Sequence, residues 1–372
     1  MENFVVSARK YRPLGFGEVV GQEHITTTLE NAIKSNHLGQ ALLFCGPRGV
    51  GKTTCARILA KTINNFESES GDGTNNFNIF ELDAASNNSV EDIRNLIDQV
   101  RYPPQHGKYK VYIIDEVHML STQAFNAFLK TLEEPPEYAI FILATTEKHK
   151  VIPTILSRCQ IYDFNRIEVG DIVKQLEKIA ASEKVDAEKE ALHLIAQKAD
   201  GALRDALSIF DLITTFSSDG KITYQDTIKN LHILDYDYYF KLVDDLLDQN
   251  MAGALMLFDE ILRNGFDGNN FLNGFQQHLR NLLVSKDEKT IELIEVTENL
   301  KSRYAEQATK CSPSFLLSAL NISNQFELNY KQSKNQRLHV ELCLMKLAHL
   351  SNALTLSSSD NGAKKKGHTM TN

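Results

Sequence analysis

Gly46-Pro47-Arg48-Gly49-Val50-Gly51-Lys52-Thr53 carries the most specific chemistry in the chain. It fits the G-x-x-x-x-G-K-[ST] pattern, a loop whose backbone N–H groups cradle phosphate oxygens. The glycines let the backbone curl until successive N–H groups point at one anion, and the helix that follows adds the partial positive charge of its N-terminus. Lys52 is expected to reach the β- and γ-phosphates, the Thr53 hydroxyl to ligate Mg²⁺, and Thr54 to continue the cradle into the helix. The flanks agree: Ala41-Leu42-Leu43-Phe44-Cys45 reads as a buried strand entering the loop, and residues 54–61 as the helix leaving it. A nucleoside triphosphate is the expected ligand.

A second set of residues supplies what such a loop needs opposite it. Lys110-Val111-Tyr112-Ile113-Ile114 is an apolar run ending in Asp115 and Glu116. Asp115 would orient the water shell of Mg²⁺, and Glu116 would polarise the water attacking the γ-phosphate. Acidic residues at a strand end are common alone; behind a phosphate loop they form a catalytic pair.

These groups require a sheet. Residues 78–83, 139–146 and 160–164 also read as strands, the second closing on Thr145 and Thr146. Strands alternate with helices, among them one from about 23 to 35 with Ile25, Leu29 and Ile33 on one face. Another opens at Ser89-Val90-Glu91-Asp92 in the manner of a capping box and carries Ile93, Leu96, Ile97 and Val100. Alternation of this kind predicts a mostly parallel five-stranded sheet with flanking helices, and ligands gather at the carboxyl ends of its strands, where Gly46, Asp115 and Thr146 converge. From about residue 166 helical periodicity takes over, first in a small set around Ile172, Leu192 and Leu203, then from about 235 to 357. The expected domains are 1–165 for nucleotide binding, 166–232 as a small helical domain and 233–356 as a larger all-α domain. Residues 357–372 read as a solvated tail or linker. Residues 64–76 are polar and read as a surface loop.

The bulk numbers fit this division. At 372 residues the chain exceeds a single core, and 42% hydrophobic with 24% charged residues is ordinary for a globular protein. No apolar run approaches a membrane span and the N-terminus has no signal-peptide core, so a cytoplasmic protein without membrane contact is expected. The cysteines, Cys45, Cys55, Cys159, Cys311 and Cys343, are scattered, which argues against a disulfide framework and a cysteine zinc site. A net charge of −8 weighs against a protein coated for nucleic acid, while leaving room for a local basic surface.

The segment before the phosphate loop leaves two readings open. It is either an extra surface layer or a wrap around base and ribose, with Val19 and Val20 as apolar contacts and Arg9 or Arg12 near phosphate. Arg158 by itself reads as structural, and Arg204 as one half of an exposed salt bridge.

Several stretches together resemble the gamma/tau subunit of the bacterial DNA polymerase III clamp loader. They are Ala8-Arg9-Lys10-Tyr11-Arg12-Pro13, Val20-Gly21-Gln22-Glu23-His24, Asp115-Glu116-Val117-His118-Met119-Leu120 and Asn126-Ala127-Phe128-Leu129-Lys130-Thr131-Leu132-Glu133-Glu134-Pro135-Pro136. Ile155-Leu156-Ser157-Arg158-Cys159 and Gly201-Ala202-Leu203-Arg204-Asp205-Ala206-Leu207 belong to the same set. The resemblance runs from residue 4 to about 355. It implies an α/β P-loop AAA+ ATPase domain, a helical lid and an all-α collar that closes a pentameric ring with further copies and with delta- and delta-prime-type subunits. It implies ATP and Mg²⁺ as cofactors, and a sliding clamp and primer–template DNA as partners, with polymerase and helicase added where a longer C-terminal region exists. By resemblance Arg158 is the arginine finger acting in the neighbouring subunit's site, Arg204 the lid sensor of the γ-phosphate in cis, and Thr146 the sensor at the end of its strand. The base-wrapping reading of Val20 and Arg12 is favoured by the same resemblance.

Two departures from the family pattern stand out. Its four zinc-binding cysteines after the phosphate-loop helix have no counterpart between Asn64 and Phe77, so no zinc site is expected. The helix that faces DNA often begins with basic residues, where this chain has Ser86-Asn87-Asn88-Ser89. Phosphate contact would then come from hydroxyls, amides and that helix's N-terminus, with Arg94 as a charge. The alternatives are another AAA+ machine of DNA repair or recombination, such as a branch-migration motor, and a non-catalytic ATP-binding scaffold of the replisome.

Overall fold

A computed structural model of the chain describes residues 5–64, 78–104, 107–217, 220–231, 234–287, 289–294 and 296–352. The polar loop with its expected lack of zinc ligands (mostly 65–77) and the 357–372 tail lie outside the described residues. The chain divides into two compact units, Met1–Thr223 and Tyr224–Asn372.

The first unit is built on five strands, β1 (Ala41–Cys45), β2 (Ile79–Asp83), β3 (Lys110–Asp115), β4 (Ala139–Thr145) and β5 (Gln160–Asp163). All pair in parallel, in the order β2-β3-β4-β1-β5. Successive side chains on a strand face opposite sides, and here both sides are covered, so the central strands read as continuous apolar runs. Leu43 of β1 and Phe141 of β4 pack into one core with Phe125 and Phe128. Leu42 and Phe44 pack into the other with Leu29, Ile58 and Leu59.

The helices of this unit are α1 (Ser7–Lys10), α2 (Glu23–Lys34), α3 (Lys52–Ile63), α4 (Val90–Val100), α5 (Thr122–Glu133) and the single turn α6 (Pro153–Leu156). α2 and α3 cover one face, α4 and α5 the other. Ser89 caps α4 in a closed capping box: its hydroxyl accepts the Asp92 N–H, and the Asp92 carboxylate accepts the Ser89 N–H. Two donors of that helix start, the Ser89 and Asp92 N–H groups, are therefore used internally, and an acidic side chain stands at the N-terminus expected to meet phosphate. Buried Lys110 at the start of β3 donates to the carbonyls of Gln99 and Tyr102 at 2.7 and 3.2 Å, satisfying the last turn of α4.

Three further helices complete the unit: α7 (Val169–Glu183), α8 (Lys189–Lys198) and α9 (Leu203–Phe216). Ile172, Leu176, Leu192, Ile195, Phe210 and Ile213 are buried. Helix alone was expected here; a short parallel pair also forms, β6 (Asp186–Ala187) with β7 (Lys221–Ile222). Two residues per strand are too few to leave a period in the sequence. The N-terminal segment is anchored on these helices. Ser7 gives both its backbone N–H and its hydroxyl to the carboxylate of Asp211 on α9, and Lys10 and Tyr11 meet Glu183 on α7.

The second unit is helical: α10 (Tyr224–Leu231), α11 (Tyr236–Leu247), α12 (Met251–Arg263), α13 (Gly268–Val284), α14 (Glu298–Lys310), α15 (Pro313–Asn329) and α16 (Gln336–Ala348). Phe258, Phe271, Phe275, Leu279 and Leu344 form its core. A buried polar cluster stands inside it. His278 lies between the Tyr304 hydroxyl (3.0 Å) and Gln307 Oε1 (3.2 Å), and Gln307 Nε2 donates to the Phe240 carbonyl at 2.7 Å. Gln307 Oε1 can only accept, so His278 carries its proton on Nε2 and accepts from Tyr304 at Nδ1. Burial pushes the His278 pKa down to about 3, so the ring is neutral. No described helix of either unit is long and apolar enough to cross a membrane.

Candidate functional site

The carboxyl ends of β1 and β3 open into a cavity of about 370 Å³. Its floor is the loop from Arg48 to Thr54, with Gly49, Val50, Gly51, Lys52 and Thr53 all lining it. Gly51 is the N-cap of α3, with φ 106°, a conformation that L side chains rarely adopt. The twelve-residue α3 therefore starts at the cavity, with its dipole directed there.

Lys52 is buried and its ammonium donates to the carbonyls of Gly46 (2.8 Å) and Pro47 (2.7 Å). Burial lowers its pKa, while the carboxylates of Glu116 and Asp115 oppose that shift. Thr53 Oγ1 donates to Asp115 Oδ2 at 2.7 Å, and Asp115 Oδ1 accepts the Glu116 N–H at 2.9 Å. A hydroxyl and a carboxylate in contact at the cavity wall form a hard-oxygen pair suited to Mg²⁺. A cationic ammonium at a helix start, beside backbone N–H groups, suits phosphate.

Glu116 sits in a left-handed backbone conformation, φ 48°, between β3 and the 3₁₀ turn Val117–Met119. Its Oε2 accepts the Thr146 N–H at 3.2 Å and the Thr146 hydroxyl at 2.9 Å. Thr146 thus bears on Glu116 and is not itself among the lining residues. Gly46 and Pro47 likewise act behind the lining, through the carbonyls that hold Lys52.

The opposite walls come from distant parts of the chain. Val20 and Arg12 line the cavity, together with Val19 and Tyr11; Arg9 does not. Arg204, at the start of α9, lines it as well, and its backbone N–H meets the Gly49 carbonyl at 3.4 Å. Arg204 is therefore at the cavity rather than on an isolated surface. Arg158 lies away from it, donating to Glu133 Oε1 and to the Thr154 carbonyl, each at 2.6 Å. Ile167, Leu203 and Leu207 add apolar wall; the sequence marked Leu203 and Leu207 as helical positions and assigned none of the three to the cavity. Apolar residues on a helical stripe give no sign of whether they face a core or a ligand.

A glycine loop between a buried strand and a helix, an acidic pair on the next strand but one of a parallel sheet, and a helical layer over both define a P-loop ATPase fold of the AAA+ class. The family comparisons narrow this. Residues 21–168 match the model described as DNA polymerase III, delta subunit. Residues 171–217 match the ATPase lid domain of a DNA polymerase III clamp loader subunit, and residues 222–359 match domain III of DNA polymerase III subunits gamma and tau. DNA polymerase III subunit gamma of Buchnera aphidicola is 33% identical over 94% of this chain and 98% of its own length. DNA polymerase III subunit tau of Bacillus subtilis is 39% identical over 92% of this chain and 63% of its own length. The chain belongs to the DNA polymerase III gamma/tau family. It spans less than two thirds of the Bacillus relative. Among solved structures, the Holliday junction branch migration motor of Thermotoga maritima aligns with 63% of this chain and 79% of its own at a TM-score of 0.48 and 21% identity.

Proposed function

We propose that this chain is the ATPase subunit of a DNA polymerase III clamp loader, and that ATP with Mg²⁺ occupies the cavity above the 46–53 loop. The observation that carries the reading is the convergence of Lys52, the Thr53–Asp115 pair, Glu116 and Arg204 around that cavity. In this reading the loop's N–H groups and Lys52 bind the phosphates, exchanging the Gly46 and Pro47 carbonyls for phosphate oxygens as partners of the ammonium. Thr53 and Asp115 hold Mg²⁺, which supplies charge neutralisation for the phosphoryl oxygens. Glu116 orients the attacking water and accepts its proton, while Thr146 sets the position of the carboxylate. Val20, Arg12 and the wall around them take the base and ribose. Arg204 reads the γ-phosphate from the lid side.

Arg158 is the arginine finger for a neighbouring subunit. Its place outside its own chain's cavity supports a role in trans, where a rigid guanidinium offsets charge developing on the γ-phosphate. The full assembly is then a cytoplasmic, nucleoid-associated pentameric ring with delta- and delta-prime-type subunits. In it ATP binding closes the ring onto the sliding clamp and primer–template DNA, and hydrolysis releases both. The division into domains 1–165, 166–232 and 233–356 belongs to the same proposal, with the last as the collar.

The test is steady-state ATP hydrolysis by this chain mixed with delta- and delta-prime-type subunits, with and without clamp plus primed DNA. Strong stimulation is expected, abolished by Lys52→Ala and by Arg158→Ala, with the second variant still binding ATP. Turnover indifferent to partners, or unchanged by Arg158→Ala, would overturn the reading.

A further inference from the structure

His118 lies in the 3₁₀ turn directly after Glu116, and only 6% of its side chain is exposed. It is not itself among the cavity-lining residues, but it contacts one of them, Glu116. Its ring stands between two carboxylates. Nδ1 is 3.3 Å from Glu116 Oε2 and 3.0 Å from Thr145 Oγ1, and Nε2 is 3.4 Å from Glu147 Oε1. Thr145 Oγ1 also accepts the Glu147 N–H at 3.0 Å, and Glu147 continues outward to Lys150 at 2.8 Å. The ring therefore joins the carboxylate beside the cavity to the chain segment that leads from β4 to Arg158.

A neutral imidazole has one N–H to give. With the hydrogen on Nδ1 it has two acceptors in reach, Thr145 Oγ1 at 3.0 Å and Glu116 Oε2 at 3.3 Å, the same oxygen that takes both Thr146 donors. With the hydrogen on Nε2 it is directed at Glu147, Nδ1 spends its lone pair on the Thr145 hydroxyl, and Glu116 receives no hydrogen from the ring. One ring thus serves two carboxylates, and which it serves decides how firmly Glu116 is held.

We propose that His118 is a positioning residue for hydrolysis: its Nδ1–H fixes the Glu116 carboxylate, and Glu147 competes for the same ring. The competition links Glu116 in one subunit to the segment that ends at Arg158, the arginine finger proposed above. This rests on Glu116 as the hydrolytic base proposed above. A residue acting in this way affects turnover and leaves nucleotide binding alone, because it orients a group that acts on water.

The experiment compares His118→Asn, His118→Gln, His118→Ala and Glu116→Gln in the complete complex, measuring kcat and ATP affinity on the same preparations. Asparagine places an amide nitrogen near the position of Nδ1, glutamine near that of Nε2. His118→Ala and His118→Gln should lower kcat by about tenfold or more, the effect of one lost hydrogen bond to a charged group, with ATP affinity unchanged. His118→Asn should restore most of that loss. A wild-type kcat in His118→Ala, a His118→Asn variant as slow as His118→Ala, or ATP affinity falling in step with kcat would overturn the proposal. Glu116→Gln separates the two levels. If it keeps wild-type turnover, the reading of Glu116 fails and the proposal with it; if it is inactive while His118→Ala is unaffected, the proposal alone fails.

Discussion

Replacing Gly46 with alanine strikes the geometry on which the phosphate loop depends. Gly46 has φ 146°, and a Cβ there would stand 2.4 Å from the carbonyl oxygen of Phe164 and 2.9 Å from its Cβ. Phe164 follows β5 and is fixed to β1 by its N–H, which donates to the Cys45 carbonyl at 2.7 Å. The oxygen can give way only if β5 draws back from β1. Backbone strain in a sparsely populated region costs about 1–3 kcal/mol, and overpacking against a neighbour that cannot move costs about 1–3 kcal/mol more. Gly51 provides the internal control. Its φ is 106°, but an added Cβ would meet only Val19 Cγ1, at 3.9 Å, so Gly51→Ala incurs backbone strain alone. Gly46→Ala should therefore destabilise the first unit by about 2–6 kcal/mol and Gly51→Ala by about 1–3 kcal/mol. In a unit of this size each kcal/mol lowers Tm by about 2–4 °C, and the two variants should be well separated in a thermal scan. Gly46→Ala should also weaken nucleotide binding, because Gly46 opens the loop whose N–H groups would cradle the phosphates. A Gly46→Ala protein that melts with the wild type, or a Gly51→Ala protein that melts lower than it, would refute the reasoning.

Lys52→Ala removes a buried ammonium held by two carbonyls, and its loss should reduce ATP affinity by about 10–100-fold; a nucleotide titration giving the wild-type Kd would contradict this. Asn64 at the end of α3 is buried and accepts the N–H groups of Lys108 and Tyr109 at 3.1 and 2.8 Å, while donating to the Ala60 carbonyl at 3.2 Å. Asn64→Ala leaves two backbone donors without partners and should cost about 2–4 kcal/mol in urea unfolding, against a near-zero change if that junction were solvated. His278 makes the second unit sensitive to acid. Its folded pKa, about 3, lies below its unfolded value of 6.5, so its contribution is complete above pH 6.5 and is lost as pH falls toward 3. At pH 5 the loss is about 2 kcal/mol. His278→Gln should flatten that part of the pH profile, and an unaltered profile would show that the ring is not the group responsible.

The phosphate loop was legible because its work is local: eight consecutive residues supply the turn, the ammonium, the hydroxyl and the helix start. The strands bearing Leu42 and Ile113 were legible for a related reason, since a parallel strand covered on both faces must be apolar throughout. The Ser89 capping box repeats the pattern, being closed by a residue three positions on. What escaped the sequence reading is non-local. Ser7 meets Asp211 across 204 positions, and no period or motif relates them. The order β2-β3-β4-β1-β5 depends on which crossover passes over which strand, and each strand alone is silent about it. His118 was visible as a residue of the Asp115–Leu120 stretch, but its place between Glu116 and Glu147 arises only when β3 and β4 lie side by side. Arg204 is the instructive case. From its helix alone it reads as an exposed charge, and only the docking of α9 on the loop at Gly49 brings it to the cavity.

The most direct measurement of the central claim is the loading of a labelled sliding clamp onto primed circular DNA by the reconstituted complex. Clamp that co-purifies with the circle, and slides off once the circle is cut, is topologically loaded. The account predicts such loading with this chain and ATP, and none with Lys52→Ala. Loading that proceeds equally with Lys52→Ala, or its absence when wild-type chain, partners and ATP are all present, would contradict it.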